Sequence, residues 1–154
     1  MNRLVLVGGI WAALGVTAVL TFGSGSAEAD RVVLRADYAE TVAHGAEVYA
    51  DNCAACHGAN LEGQPNWRLP GADGRLPAPP HDETGHTWHH DGDTLFRLTK
   101  YGTGALISDP DYESNMPVYE GVLTDDEIIA VLSYIKSTWP EDIRARHDEM
   151  ETRQ

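Results

Sequence analysis

The stretch Cys53-Ala54-Ala55-Cys56-His57 decides how the whole chain is interpreted. Two cysteines stand three residues apart, and a histidine follows the second cysteine directly. Thiols at this spacing rise from adjacent positions of one tight turn, with the imidazole next to them. The chain contains no further cysteine, so no disulfide framework organises the fold elsewhere. The motif therefore places two thiols and an imidazole at a single point.

This spacing is the attachment signature of a c-type haem. Each thiol adds across one vinyl group of the porphyrin, so the sequence predicts covalent attachment through Cys53 and Cys56. The imidazole of His57 then falls under the ring, where it can take one axial position on the iron. A thioredoxin-type redox pair would need a βαβ context, and a zinc site would need a second cysteine pair. A disulfide between the two cysteines would leave His57 unexplained.

The first 29 residues are predicted to be a targeting segment. Arg3 provides a positive start, residues 4–22 carry no charge, and Ala27-Glu28-Ala29 has the small-x-small pattern of a signal-peptidase site. The uncharged run is also long enough to span a bilayer as an anchoring helix, so cleavage and anchoring both stay open. Either outcome places the following domain on the periplasmic side of a bacterial membrane, where covalent c-type haem is assembled.

A predicted helix leads into the motif. After a linker over residues 30–40, with Asp37 as a plausible cap, residues 38–52 have helical spacing and run directly into Cys53. Glycine in a helix interior costs roughly 1 kcal/mol against alanine. Gly45 therefore suggests that another backbone passes very close to this helix, and a tolerated surface glycine is the alternative.

Two further helices are predicted towards the C-terminus. One runs over residues 94–101 and stops at Gly102. The other starts at the capping box of residues 124–127 and ends at Trp139-Pro140. Its apolar positions have helical spacing: Ile128, Val131, Leu132 and Ile135. The charged tail, residues 140–154, is expected to be a solvated helical extension, and no role is assigned to it.

Residues 58–91 form a predicted long loop, rich in glycine and proline, that is available to wrap one side of the haem. Trp67 and Trp88 can cover the porphyrin or donate an indole N–H to a haem propionate. A rigid proline near the haem histidine can orient the imidazole through the preceding backbone carbonyl. Pro77 and Pro79 are equal candidates for that position.

Four histidines of this loop admit two interpretations: His81, His86, His89 and His90. The first is a copper or zinc site, since imidazole suits both metals, and one of the four could also displace a methionine from the iron. The second is a polar loop with solvated or propionate-directed histidines. The second is favoured, because no carboxylate or cysteine pattern fixes a metal geometry.

The other axial iron ligand is predicted to be Met116. Pro117 biases Met116 toward an extended backbone, which holds the thioether on a stiff loop. Such rigidity suits an iron ligand whose bond is weak. An ordinary core methionine is the alternative. The remaining methionines, Met1 and Met150, lie outside the predicted domain.

Together these features resemble class I cytochrome c over residues 41–139. In that family the N-terminal helix carries a glycine and an aromatic residue four apart, and the aromatic stands four before the first haem cysteine. Gly45, Tyr49 and Cys53 have this arrangement. The resemblance implies an all-α, cytochrome c-like fold of about three to four helices around one covalently bound haem.

The same resemblance extends to the C-terminal half. The family's last helix crosses at that glycine and offers an aliphatic residue with a tyrosine three later, which fits Val131 and Tyr134. Its second axial ligand is a methionine followed by proline, and Met116 stands 59 residues after the haem histidine. The insert over residues 76–90, rich in proline and histidine, departs from a minimal member.

Charge and ligand set indicate the class of function. A net charge of −13 argues against nucleic acid as a partner and favours a redox protein with a basic docking face.

With His57 and Met116 both bound, the iron has no open position. The predicted function is therefore single-electron transfer by a mono-haem cytochrome of a respiratory or allied periplasmic chain, and not an enzyme. A haem enzyme or a gas or peroxide sensor with a labile sixth ligand is the alternative, as is a subunit of a larger oxidoreductase. If residues 4–22 are retained, they would tether the carrier to the membrane.

Overall fold

The computed structural model describes residues 31–153, and this part of the chain is all-helical. Its α-helices in chain order are α1 (Ala39–Asn52), α2 (Ala54–His57), α3 (Gly92–Ile107), α4 (Asp125–Ser137) and α5 (Glu141–Thr152). Within the same residues, a 3-10 helix occupies Thr87–His89 and there is no strand, only an isolated bridge. The predicted all-α fold is confirmed. The helix count is higher than expected, because the motif turn and the tail each form a helix.

The predicted targeting or membrane segment, residues 1–29, lies outside the described residues. Its cleavage or retention as an anchor therefore stays a prediction. Among the helices of residues 31–153, none combines the length and the apolar character needed to cross a membrane.

Helices α1 and α4 cross with their backbones in contact at Gly45. A Cβ atom at this position would overlap the carbonyl group of Ala130 and come within 2.9 Å of the Tyr134 Cβ atom. Only glycine fits such an approach, so the predicted close passage of a second backbone is confirmed. Val131 is 1 % exposed on the same stretch of α4. The crossing fixes the end of α1, from which the motif follows, against the best-buried helix of the fold.

Helix α4 supplies the largest share of the hydrophobic core. The four apolar residues predicted along it are all buried: Ile128, Val131, Leu132 and Ile135. Each such side chain stabilises the fold by roughly 1.5–3 kcal/mol relative to an exposed position. The capping box is also confirmed, since the Thr124 hydroxyl accepts the Glu127 N–H and the Glu127 carboxylate accepts the Thr124 N–H.

Helix α3 begins earlier than the sequence predicts and bends where the sequence predicts its end. Asp91 caps the helix by accepting the Thr94 N–H at 2.8 Å, so the first helical residue is Gly92. Gly102 interrupts the helix with a φ of 83°, a conformation that favours glycine. The chain then makes one more turn, which ends at Ile107.

The segment before α1, within the predicted linker, lies against the domain. The Val32 N–H donates to Asp93 at 2.9 Å, and the Arg35 N–H donates to the Ser133 hydroxyl at 2.8 Å. The prediction that Asp37 caps α1 is wrong. Tyr38 occupies the cap position without a side-chain hydrogen bond, and Asp37 instead pairs with an arginine of α5 at 3.4 Å.

The charged tail does form a helix, α5, but the expectation that it is solvated is wrong for one face. Ile143 is 9 % exposed and His147 is 0 % exposed. These residues stand four apart and therefore share one face of the helix. The predominantly polar composition of the tail concealed this short buried stripe, which packs beside the 3-10 helix.

Candidate haem site

The motif forms one helical turn that continues from α1. The Cys53 N–H bonds to the Tyr49 carbonyl at 2.9 Å, and the His57 N–H bonds to the Cys53 carbonyl at 2.9 Å. Cys53 is half-buried, Cys56 is exposed, and both are free thiols, which stand in for the thioether sulfurs of a haem-loaded chain. Burial, with a smaller effect of Cys56, raises the pKa of the Cys53 thiol to about 11. The predicted motif residues thus lie together on one turn.

His57 is buried and held by a single backbone carbonyl. Its Nδ1 atom lies 2.8 Å from the Pro79 oxygen, and because a carbonyl can only accept, Nδ1 carries the hydrogen. The lone pair is then on Nε2. Burial lowers the pKa of His57, against a smaller opposite effect of this hydrogen bond. The ring is therefore neutral with one nitrogen free, which is the form that ligates metals, so the residues present fit a haem iron.

Pro79, rather than Pro77, orients the imidazole. The accepting carbonyl is that of Pro79 itself, which precedes Pro80, whereas the sequence pointed to the carbonyl before Pro77 or before Pro79. Two hydrogen bonds between Gln64 and Ala78 fix the residue before Pro79. The Gln64 N–H donates to the Ala78 carbonyl at 2.8 Å, and the Ala78 N–H donates to the Gln64 side chain at 3.0 Å. Gly63, with a φ of 68°, leaves no room for a side chain beside the prolines. The predicted loop is thus internally hydrogen-bonded.

Two tyrosine hydroxyls bracket the motif. Tyr49 donates to the Gly58 carbonyl at 2.8 Å, and Tyr119 donates to the Asn52 carbonyl at 2.7 Å. Burial raises the pKa of Tyr119, and the electrostatic effect of Cys53 and Cys56 raises it further. No sequence pattern singled out Tyr119. Its position three residues after Met116 was the available signal.

Met116 lies on a loop that is anchored on both sides. On the N-terminal side, Arg75 donates to Asn115 at 3.1 Å and pairs with Glu113 at 3.2 Å. On the C-terminal side, Tyr119 is tied to the residue that precedes Cys53. Met116 itself is half-buried and bonded through its N–H to the Ser114 hydroxyl at 3.1 Å. The structure therefore holds the thioether-bearing loop against the motif through Tyr119.

The four histidines of the loop do not share one environment. His81 stacks on the His57 ring with centroids 4.0 Å apart, and burial holds the pKa of His81 well below its usual value. His86 stacks on Trp67 at 5.2 Å and meets the edge of His90 at 5.6 Å. His81 thus contacts the motif, whereas His86 contacts Trp67 and His90.

His89 and Trp88 stack on each other with centroids 3.7 Å apart. Across residues 31–153, no group of three or more histidine, cysteine, aspartate or glutamate side chains is arranged to hold a metal ion. Among the described residues, the structure therefore offers no preformed site for copper or zinc. The placement of the His81 ring against the His57 ring was not predicted, because ring stacking between residues 24 positions apart leaves no local pattern.

A comparison with protein families gives one match. The model of the family described as "Cytochrome c" matches residues 42–139, which is more than half of the chain and includes the motif, the loop and Met116. No curated protein and no solved structure matches the chain. The matched domain binds covalently attached haem c, and the spacing of Cys53 and Cys56 is the one it uses. The chain thus belongs to the cytochrome c family.

Proposed function

We propose that the protein is a mono-haem electron carrier. Cys53 and Cys56 would hold the haem through thioether bonds, and His57 and Met116 would be the two protein ligands of its iron. The observation that carries this proposal is the hydrogen bond from His57 Nδ1 to the Pro79 carbonyl. It fixes both the ring and the tautomer before any metal is bound, as second-shell partners of metal ligands do.

The haem supplies one-electron chemistry when bound. With His57 and Met116 both bound to the iron, oxidation and reduction would need little movement of ligands, and no position would be open to a substrate. A thioether ligand and apolar burial favour the ferrous state. The anchors of the Met116 loop, Arg75 and Tyr119, oppose loss of the weaker ligand. The protein therefore exchanges electrons without a chemical step.

The proposed partner is a redox protein with a basic docking face. The loop that carries Met116 exposes carboxylates at Asp109, Asp111, Glu113 and Glu120. Two basic residues that contact this loop are already paired, Arg75 with Glu113 and Lys100 with Asp125. With a net charge of −13, association should be steered by opposite charge and weaken steeply with ionic strength. We place this encounter on the periplasmic side of the membrane, following the predicted targeting segment.

Absorption spectra of the haem-loaded protein test the ligand set. The oxidised protein should show the charge-transfer band of methionine bound to ferric iron, and Met116→Ala should lose it. Met150→Ala, in α5, is the matched control and should keep the band. Carbon monoxide added to the reduced wild-type protein at neutral pH should bind slowly and incompletely. A rapid and complete spectral shift would instead support a haem enzyme or sensor with a labile sixth ligand.

A further inference from the structure

The last residue of the family match and the chain that follows it hold the histidine-rich loop. Residues 139–151 are named the C-terminal arm, and residues 81–92 are named the histidine segment. At the start of the arm, the Trp139 Nε1–H donates to the His81 carbonyl oxygen at 2.8 Å. Trp139 is 3 % exposed, so this bond is shielded from water. The arm therefore fixes the first residue of the histidine segment.

The arm also holds the other end of the segment. His147 Nε2 donates to the His90 carbonyl at 3.0 Å, and the Glu151 carboxylate accepts the Gly92 N–H at 2.6 Å. His147 and Glu151 stand four residues apart on one face of α5, which lies beyond the matched residues 42–139. The C-terminal arm thus holds the histidine segment at both ends, through Trp139 at one end and through His147 and Glu151 of α5 at the other.

The first residue of the histidine segment touches the proposed axial ligand. The His81 ring stacks on His57 at 4.0 Å, and the Pro79 carbonyl that holds His57 lies two residues before it. The His81 N–H donates to the Leu61 carbonyl at 2.8 Å. A displacement of His81 would therefore move the stacked ring and the hydrogen-bonding carbonyl together.

His147 is buried in the arm although one of its ring nitrogens has no hydrogen-bond partner among the described residues. It is 0 % exposed, its ring lies 5.2 Å from that of Trp139, and its Nδ1 atom has no hydrogen-bond partner among the described residues. A buried polar atom without a partner destabilises a fold. An apolar side chain would avoid this penalty, so the Nε2–H donor is what distinguishes histidine at this position.

From this geometry we propose that Trp139 and His147 are positioning residues for the axial imidazole. By holding the histidine segment, the arm keeps the Pro79 carbonyl in hydrogen-bond contact with His57 Nδ1–H. The inference rests on the proposed function, in which His57 binds the iron. A carbonyl partner makes the imidazole a stronger electron donor, which favours ferric iron. Loosening the arm should therefore weaken this bond and raise the reduction potential.

The experiment uses the full haem-loaded chain and two removals of a donor. Trp139→Phe keeps an aromatic ring without the N–H, and His147→Leu keeps side-chain volume without a donor. His147→Gln retains an N–H and serves as the conservative variant. Ile143→Val, a packing change on the same buried face of the arm, is the matched control. Three quantities are measured: the midpoint potential, hydrogen exchange of the His57 Nδ1 proton by NMR of the reduced protein, and the free energy of unfolding.

Trp139→Phe and His147→Leu should raise the midpoint potential and speed exchange of the His57 Nδ1 proton. Ile143→Val should lower only the free energy of unfolding. His147→Gln should give values between those of His147→Leu and the wild type. Equal potentials and equal exchange rates in all four variants would overturn the inference, whatever their stabilities. Should Trp139→Phe fail to fold, the comparison of His147→Leu with Ile143→Val decides in the same way. Failure of the proposed function is separate, because it would show in the wild-type spectrum and carbon monoxide reaction.

Discussion

Two regions of the molecule, the haem motif and the C-terminal arm, are each built around a buried histidine. His57 donates through Nδ1 to the Pro79 carbonyl at 2.8 Å, and His147 donates through Nε2 to the His90 carbonyl at 3.0 Å. Burial lowers the pKa of both. They differ in the second nitrogen, which in our proposal binds iron at His57 and which at His147 is buried without a partner among the described residues. A buried neutral imidazole therefore does not by itself identify a ligand, and the position after the second cysteine does.

The motif side of this comparison depends most strongly on the crossing of α1 and α4. Gly45→Val should destabilise the haem-loaded protein by about 3 kcal/mol, the upper end of the usual cost of overpacking, because the added atoms force the helix backbones apart. The added atoms meet the Ala130 carbonyl, which cannot rotate away. Denaturant unfolding followed by haem absorbance measures the change.

Ala43→Leu is the matched control for Gly45→Val, since Ala43 is exposed on the same helix. It should stay within about 0.5 kcal/mol of the wild type. Equal stabilities of Gly45→Val and Ala43→Leu would mean that α1 and α4 do not meet at Gly45. The helix crossing at this position would then be wrong.

The arm side predicts a loss of stability in mild acid. Burial first, and Lys136 next, lower the pKa of His147 from 6.5 to about 4, while the hydrogen bond to the His90 carbonyl, Asp148 and Asp91 act in the opposite direction. The folded state thus resists a proton that the unfolded state accepts. Stability is full above pH 6.5 and falls as the pH drops towards 4, by up to about 3 kcal/mol. Unfolding measured between pH 7 and pH 4 records the slope.

His147→Leu should make that slope shallower, because it removes one buried titrating ring, whereas His81, whose pKa burial also lowers, keeps its contribution. Glu151, whose pKa burial raises, titrates nearby with the opposite sign, so Glu151→Gln in the same series separates the two contributions. An unchanged slope in His147→Leu would show that other groups cause the loss of stability in acid. The comparison of His147 with His57 as two buried neutral imidazoles would then fail.

Whatever could be predicted from the sequence lay in short-range patterns. A few neighbouring residues were enough to predict three features: the haem motif of residues 53–57, the capping box at Thr124 and the helix crossing at Gly45. The family match over residues 42–139 and the all-helical fold agree with those patterns. Met116 could be nominated from its proline neighbour, but its link to the motif runs through Tyr119, which no pattern indicated.

The remainder depended on contacts between distant segments. The choice between Pro77 and Pro79 needed the path of the loop back to His57, 22 positions earlier. The buried face of the tail was hidden, because Ile143 and His147 are surrounded in sequence by charged residues. Tertiary contacts of this kind leave no periodicity in a single chain.

A smaller effect sharpens the role of Tyr119. Tyr119→Phe removes the hydroxyl that donates to the Asn52 carbonyl and should lower stability by about 1 kcal/mol. Tyr112→Phe is the matched control, since Tyr112 is 40 % exposed on the same loop. Thermal unfolding of the two variants side by side gives the difference. If both lose equal stability, Tyr119 does not tie the Met116 loop to the motif.

The smallest expected effect concerns the entry to α1. Asp37→Ala should change stability by less than about 0.5 kcal/mol, because Asp37 makes only an exposed pair with Arg144 and does not cap the helix. Thr124→Ala, which removes a true cap of α4, should lose about 1 kcal/mol. A larger loss in Asp37→Ala than in Thr124→Ala would restore Asp37 as a cap.

The central claim is that one haem is bound covalently through Cys53 and Cys56. The most direct measurement is the intact mass of the full-length protein, purified from cells that assemble c-type haem, after extraction with acidified organic solvent. We predict a polypeptide that keeps its colour and carries the added mass of one haem, and that loses the added mass when both cysteines are changed to alanine. A colourless polypeptide of unmodified mass, with the porphyrin in the solvent, would contradict the account.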